Sequence, residues 1–303
     1  MIGTVIYGIN NIFLVRSETD GKKRECRIKG KILREAEREY SPLVPGDRVE
    51  LTDIGETVAM IVSREERLNA FSRWNMKKMR PQIIAANIDM IVCLCSVDQP
   101  PFRPRFLDRV LIAAERDGIH PLICVNKNDL EQSAGMKSRL DEYAELGIPI
   151  AECSAFRAES TTSLKEEIKG KDVLFFGQSG VGKSTLINML LPDAGRKTAE
   201  ISEKYGRGRH TTNYSMLLEN PSGGSIIDSP GVRDFFLYDI EPGDLAGYFR
   251  EFSRLEKKCR FNPCSHRHEP GCAVIAAKGN GLIHYDRYES YQRIYAELIN
   301  REN

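Results

Sequence analysis

The sequence predicts a multidomain chain of three units: a small N-terminal β-barrel, a central doubly wound α/β domain, and a mostly helical C-terminal unit organised by a Cys/His cluster. Three observations predict it. Short apolar–polar alternations broken by turn residues fill residues 1–68, apolar strand-like runs alternate with helical periodicity from about residue 83 to 240, and three of the eight cysteines crowd into residues 259–272. A length of 303 residues suits two or three such units, each with a real core.

In the first unit, GTVIYGI, NIFLVRS, KRECRIKGKI, DRVELTDI and TVAMIVSR each suit a strand, and Pro45-Gly46-Asp47 is a strong turn signal. Five short strands in so little chain predict a barrel of the oligonucleotide-binding (OB) type over residues 1–68. Residues 69–82 then read as a linker into the α/β domain, which extends to residue 240. There IDMIVCLCSV, HPLICVN and IPIAECSA read as buried parallel strands, and DVLFFG and GSIIDS continue the series. The stretches after Arg105 and Ser133 carry helical spacing, as befits crossovers between parallel strands. Residues 241–303 are mostly helical around the cluster.

Charge and cysteine usage narrow the class. Forty-four Lys plus Arg balance 43 Asp plus Glu, so the chain is no bulk polyanion binder. MIGTVIYGINNIFLV lacks the basic and continuous apolar regions of a signal peptide, and no run reaches the roughly 18 apolar residues of a membrane span. A cytosolic protein without a membrane partner is expected. Its single cysteines, Cys26, Cys93, Cys95, Cys124 and Cys153, then read as reduced, buried thiols.

Gly177-Gln178-Ser179-Gly180-Val181-Gly182-Lys183-Ser184 fits the phosphate-loop pattern, with an apolar strand before it and the helix STLINMLL after it. Glycines let backbone N–H groups approach phosphates, and the helix N-terminus favours negative charge. Lys183 is placed to reach the β- and γ-phosphates and Ser184 to ligate Mg²⁺, with Thr185 beside it. Forty-five residues on, Asp228-Ser229-Pro230-Gly231 ends a buried strand; Asp228 suits Mg²⁺ and the Gly231 N–H suits the γ-phosphate. The residue after Gly231 is Val232, whose apolar side chain cannot orient a water, so hydrolysis of a bound nucleotide would need another group.

Asn126-Lys127-Asn128-Asp129 follows the strand HPLICV, where α/β sheets place ligand loops. A carboxylate at Asp129 accepts both N1–H and the exocyclic amine of guanine, a pair that adenine does not offer. Asn126 suits the other edge of the base, Lys127 its plane, and the backbone of Ser154-Ala155 the guanine O6. Farther on, Cys259, Cys264 and Cys272 with His266 give C-x4-C-x-H-x5-C, a donor set for one structural Zn²⁺, with His268 as a competing ligand.

In ordinary GTPases of the translation-factor class the phosphate loop comes first, whereas here Asp129 precedes Lys183 by 54 residues. The same sheet entered at a different strand preserves the site, so the central domain looks like a circularly permuted P-loop GTPase. With AANIDMIVCL, NKND, CSA, GQSGVGKST, GRGRHTT, DSPGVRDF and the cysteine cluster in that order, the whole chain resembles the ribosome small subunit-dependent GTPases of the RsgA (YjeQ/YloQ) type. The resemblance implies a GTP hydrolase (GTP to GDP and phosphate) that uses Mg²⁺, acts late in maturation of the 30S subunit and is stimulated by it. It also favours Cys259, Cys264, His266 and Cys272 as the zinc ligands and nominates His210, in the glycine-rich segment 204–212, to position the water. Thr211 or Thr212 is expected on Mg²⁺; Asn213 stands where the family usually has a third threonine.

Three local clusters fit an RNA footprint within a neutral chain: seven cations and one acid in 22–34, four cations beside Trp74 in 73–80, and five cations and one acid in 254–268. The expected partners are the 30S subunit and its rRNA, met by a monomer. A competing class is a nucleotide-gated RNA-binding protein whose hydrolysis only resets docking.

Overall fold

The computed structural model describes residues 1–30, 41–55, 57–192 and 214–302. Strands β1 (Ile2–Ile9), β2 (Ile12–Ser17), β3 (Lys23–Ile28), β4 (Arg48–Asp53) and β5 (Val58–Arg64) close a barrel in the order β1-β2-β3-β5-β4. All pairs are antiparallel except β3 with β5. Alternate residues face inward, so Val5, Phe13, Val15, Cys26, Val49, Leu51 and Ile61 fill the barrel. The five strands occur where the alternation placed them.

Residues 69–82, read as a linker, belong largely to a two-stranded ribbon, β6 (Ala70–Asn75) with β7 (Arg80–Ala86). The charged turn WNMKKM hides its alternation in sequence. The ribbon is not suspended between domains: Phe71 packs on Phe176 and Phe235, and the Trp74 N–H donates to Phe236 O at 3.0 Å.

The central sheet has the order β10-β9-β8-β11-β13-β12, from β8 (Met90–Ser96), β9 (His120–Asn126), β10 (Ile150–Glu152), β11 (Asp172–Gly177), β12 (Met216–Glu219) and β13 (Ser225–Asp228). Five strands are parallel; β12, which was not anticipated, joins β13 antiparallel at the edge. Strands β8 and β11 are buried almost end to end, which explains their unbroken apolar sequence. Helices α1 (Pro104–Arg116), α2 (Ala134–Glu145), α3 (Thr162–Ile168) and α4 (Lys183–Leu190) supply connections. Cys26, Cys93, Cys95, Cys124 and Cys153 are buried free thiols.

Beyond Pro242–Tyr248, a 3-10 stretch, come α5 (Arg250–Ser253), α6 (Ala273–Gly279) and α7 (Tyr285–Glu302). Phe249, Phe252 and Tyr291 form an aromatic core under the Cys/His loop. An ionic network docks this unit on the central domain: Asp108 of α1 accepts from Arg139 of α2, Arg287 of α7 and Tyr143, all four buried. Among the described residues no helix is long and apolar enough to cross a membrane.

Candidate nucleotide site and metal centre

Sheet register assembles the motifs. Asn126 sits opposite Ser96, Gly177 opposite Leu94 and Asp228 opposite Phe175, so the C-terminal ends of β9, β8, β11 and β13 lie along one edge. Strand order reverses between β8 and β11, and loops leaving there on opposite faces open a crevice for a ligand. Permutation of the chain is immaterial to this edge, because register and not sequence order fixes the neighbours.

The phosphate loop leaves β11 at Gly177 and enters α4 at Lys183. Gly182 has φ +88°, and a Cβ there would lie 2.3 Å from Asn126 Nδ2, so the position demands glycine twice over. That close approach permits a bond from Asn126 Nδ2 to the Val181 carbonyl at 2.8 Å, which joins the Asn126–Asp129 loop to the phosphate loop across 55 residues. The Asn126 Oδ1 is buried with no partner among the described residues, an acceptor available to a ligand. Lys183 Nζ lies 2.5 Å from Asp228 Oδ1, with both side chains buried. Ser184 and Thr185 are exposed in the first turn of α4.

The segment after β13 is tied to the same loop. Gln178 and Val232 form a parallel bridge: Ser179 N–H donates to Val232 O at 3.1 Å and Val232 N–H to Gly177 O at 3.2 Å. A Cβ on Gly231 would lie 2.8 Å from Ser179 Cα, so this glycine, too, serves a close backbone approach. Gly180 packs near Pro100 in the loop after β8.

On the base side, the Ser154 hydroxyl donates to Asp129 Oδ1 at 2.5 Å and accepts from the Phe156 N–H at 3.2 Å. The Ser154 bond, outweighing partial desolvation, holds the Asp129 carboxyl below its ordinary range, so it presents an acceptor-only carboxylate at neutral pH. Ala155 is half-buried beside it. Two features here were not singled out in the sequence. Lys127, at φ +60°, donates to the carbonyls of Asp98 and Gln99, so the loop after β8 fixes its stem. Ser160 Oγ accepts the Ser154 N–H at 2.8 Å and orients that turn. Pro100-Pro101 after a buried strand is the only sequence signal for the first; nothing local announces the second. The switch residues His210, Thr211 and Thr212 lie outside the described residues.

In the C-terminal unit Cys259, Cys264, His266 and Cys272 bring one donor atom each within 4.8 Å of one another, whereas His268 is exposed and outside the group. Zn–S and Zn–N bonds of about 2.3 and 2.0 Å at a tetrahedral centre require donor separations of about 3.5–3.8 Å. Cys259 Sγ to Cys272 Sγ is 3.9 Å, and His266 Nδ1 lies 3.6 and 3.4 Å from these two sulfurs. The donors fit a closed structural site. Its frame is set by the Tyr288 and Tyr291 hydroxyls, which donate to the His266 and Ser265 carbonyls, and by Glu269, which accepts the N–H groups of Ser265 and Arg267.

The charge clusters are only partly available. Arg24 is buried in ion pairs with Asp20 and Asp53, and residues 31–34 of the first cluster lie outside the described residues. Lys77 and Lys78 are exposed at the ribbon turn, as are Lys257 and Lys258 before the Cys/His loop.

Comparison with known proteins agrees with this geometry. The RsgA GTPase family model matches residues 64–238. The chain is 40% identical over 294 residues to the small ribosomal subunit biogenesis GTPase RsgA of Borrelia recurrentis, covering 97% of this chain and 93% of the relative. Among solved structures it is similar to YjeQ from Thermotoga maritima, with a TM-score of 0.76, 30% identity and 98% of both chains covered. It is also similar to YloQ, described as a circularly permuted GTPase, with a TM-score of 0.71, 28% identity and coverage of 99% of this chain and 95% of that one. A barrel, a permuted phosphate-loop sheet and a Cys/His unit in this order, together with these matches, place the chain in the RsgA GTPase family.

Proposed function

We propose that the protein is a cytoplasmic, monomeric, Mg²⁺-dependent GTP hydrolase that acts in late maturation of the small ribosomal subunit, with GTP gating its docking on rRNA and hydrolysis releasing it. The observation that carries the reading is the Asn126–Val181 bond, which unites a guanine-type carboxylate loop and a phosphate loop in one crevice. The names of its relatives, small ribosomal subunit biogenesis GTPases, support the partner.

Each role follows from local chemistry. Asp129 pairs with the N1–H and amine edge of guanine, Asn126 offers its buried Oδ1 to the other edge, Lys127 covers the ring and the Ala155 N–H serves O6. The amides of Gly177, Gln178, Ser179, Gly180, Val181 and Gly182 cradle the phosphates. Lys183 supplies a cation to the β- and γ-phosphates; its pairing with Asp228 keeps both charges compensated in a buried place. Ser184 and Asp228 fit Mg²⁺, which when bound neutralises phosphate charge as the bond breaks. The Gly231 N–H faces the γ-phosphate, and Val232 brings no polar atom to the water. We assign water positioning to His210 and the switch contact with Mg²⁺ to Thr211 or Thr212. Cys259, Cys264, His266 and Cys272 hold a zinc ion that stabilises the C-terminal unit.

The test is hydrolysis of GTP and ATP by the full chain, with and without 30S subunits. The expected result is GTP-selective turnover that is slow alone and strongly raised by subunits. Equal use of ATP would refute the base site, and absence of stimulation would refute the partner.

A further inference from the structure

We propose that the groove between the start of α1 and the segment after Gly231 receives one unpaired nucleotide of ribosomal RNA and reports its arrival to the phosphate loop. The inference rests on the proposed function and names where the subunit is sensed.

The groove encloses about 430 Å³ and is lined by Phe102, Arg103, Arg109, Gln178, Arg233 and Phe236, among others. That volume suits one nucleotide and excludes a duplex. Four arginines, Arg103, Arg105, Arg109 and Arg233, face two carboxylates, Asp234 and Asp286. Two are committed: Arg105 pairs with Asp286 and Glu289, and Arg109 with Glu297. The Arg103 and Arg233 side chains are exposed and have no hydrogen-bond or ion-pair partner among the described residues, and Arg109 Nη1 is buried without one.

Helix stability does not explain these cations. Helix α1 starts at Pro104 with no side-chain cap and no acid in its first turn, yet its N-cap residue is Arg103, at the positive end where an unpaired cation is disfavoured; Arg105 beside it is compensated by Asp286 and Glu289. A polyanion in the groove removes the conflict. Phe102 is half-buried, offering a face on which a base can stack while guanidinium forks hold its phosphate. This interleaving of arginine and aromatic rings favours RNA, in which every residue carries both a phosphate and a ring, over an acidic protein segment, whose Asp and Glu side chains carry no ring.

The groove also touches the hydrolytic machinery. Gln178 lines it and forms the bridge to Val232, whose neighbour Arg233 is on its wall. A phosphate drawn to Arg233 therefore acts on the strand that holds the Ser179 and Gly177 backbone. The two walls are about 130 residues apart in sequence, so no local motif announces the groove.

The experiment uses the full, GTP-loaded chain with 30S subunits. It compares the parent with Arg103→Glu and Phe102→Ala, and adds a photo-crosslinking amino acid at position 102. Expected are unchanged intrinsic GTP turnover and GDP affinity, which also show an intact fold. The subunit concentration for half-maximal stimulation should rise at least about tenfold, with a salt slope shallower by about one for the Arg103→Glu chain. The crosslink should fall on RNA. Equal stimulation of parent and variants, or a crosslink only to ribosomal protein, overturns the groove while leaving the proposed function standing. A parent not stimulated at all overturns both.

Discussion

Asp108→Asn should undock the C-terminal unit. Asp108 is fully buried and accepts from Arg139 Nη2 at 3.0 Å, Arg287 Nη1 at 2.5 Å and the Tyr143 hydroxyl at 2.6 Å, so it links α1 to both α2 and α7. Burial alone would raise its pKa, but Arg287 and Arg139 more than offset this and hold it below the ordinary carboxylate value. Removing one member of a buried pair costs about 3–5 kcal/mol because a charge is left uncompensated. Here Arg287 retains Glu251 at 2.7 Å and Arg139 retains Glu142, which argues for the lower end, about 3 kcal/mol. Because three units need not unfold in one step, hydrogen exchange of the α7 amides is the suitable assay, and about 3 kcal/mol corresponds to exchange faster by about 100-fold. The sign with pH follows from the lowered pKa. The contribution of Asp108 is present above its unfolded value of about 3.9 and is lost as pH falls through its still lower folded value. The parent therefore loses α7 protection steeply in acid, and the Asn variant starts lower and falls less. A change of less than about 1 kcal/mol at neutral pH, or an unaltered acid profile, would refute the reasoning.

Four further outcomes are expected. Gly182→Ala places a Cβ 2.3 Å from Asn126 Nδ2 at a positive φ, so GDP affinity measured by fluorescent-nucleotide titration should fall at least about 100-fold with circular dichroism unchanged; near-parent affinity would contradict the seam. Asp129→Asn should shift preference from guanine to xanthine nucleotides in competition binding, and persistence of guanine selectivity would remove Asp129 from the base site. His210→Ala should lower subunit-stimulated turnover about 100-fold or more with GTP affinity kept within a few-fold; unchanged turnover would dismiss this histidine. Chelation should release one zinc per chain and unfold the loop around Cys259–Cys272 while nucleotide binding survives; a metal-free protein with unchanged structure would refute the site.

Much of the candidate site is legible because its chemistry is local. A phosphate loop needs glycine, lysine and serine at fixed offsets between a strand and a helix, and the C-x4-C-x-H-x5-C spacing brings four donors together within one loop. The barrel is legible because one buried face imposes a period of two on five short segments. Other features escape this kind of reading. Arg24 counts as one more surface cation in sequence, yet the barrel folds it inward onto Asp20 and Asp53. The β6–β7 ribbon reads as a linker because its half-buried strands flank a charged turn, and β12 is only four residues long at a sheet edge.

Sequence by itself supplied the groups that the proposed chemistry needs: a carboxylate at Asp129, a glycine-rich loop ending in Lys183, and a set of three cysteines and one histidine. Only the tertiary structure decided which of these groups meet. Asn126 reaches Val181, Lys183 reaches Asp228 and Asp108 reaches Arg287 across 55, 45 and 179 residues. Periodicity and spacing describe what a chain does over a turn or a strand, whereas partners at such separations are chosen by sheet register and by the need to neutralise charge wherever packing excludes water.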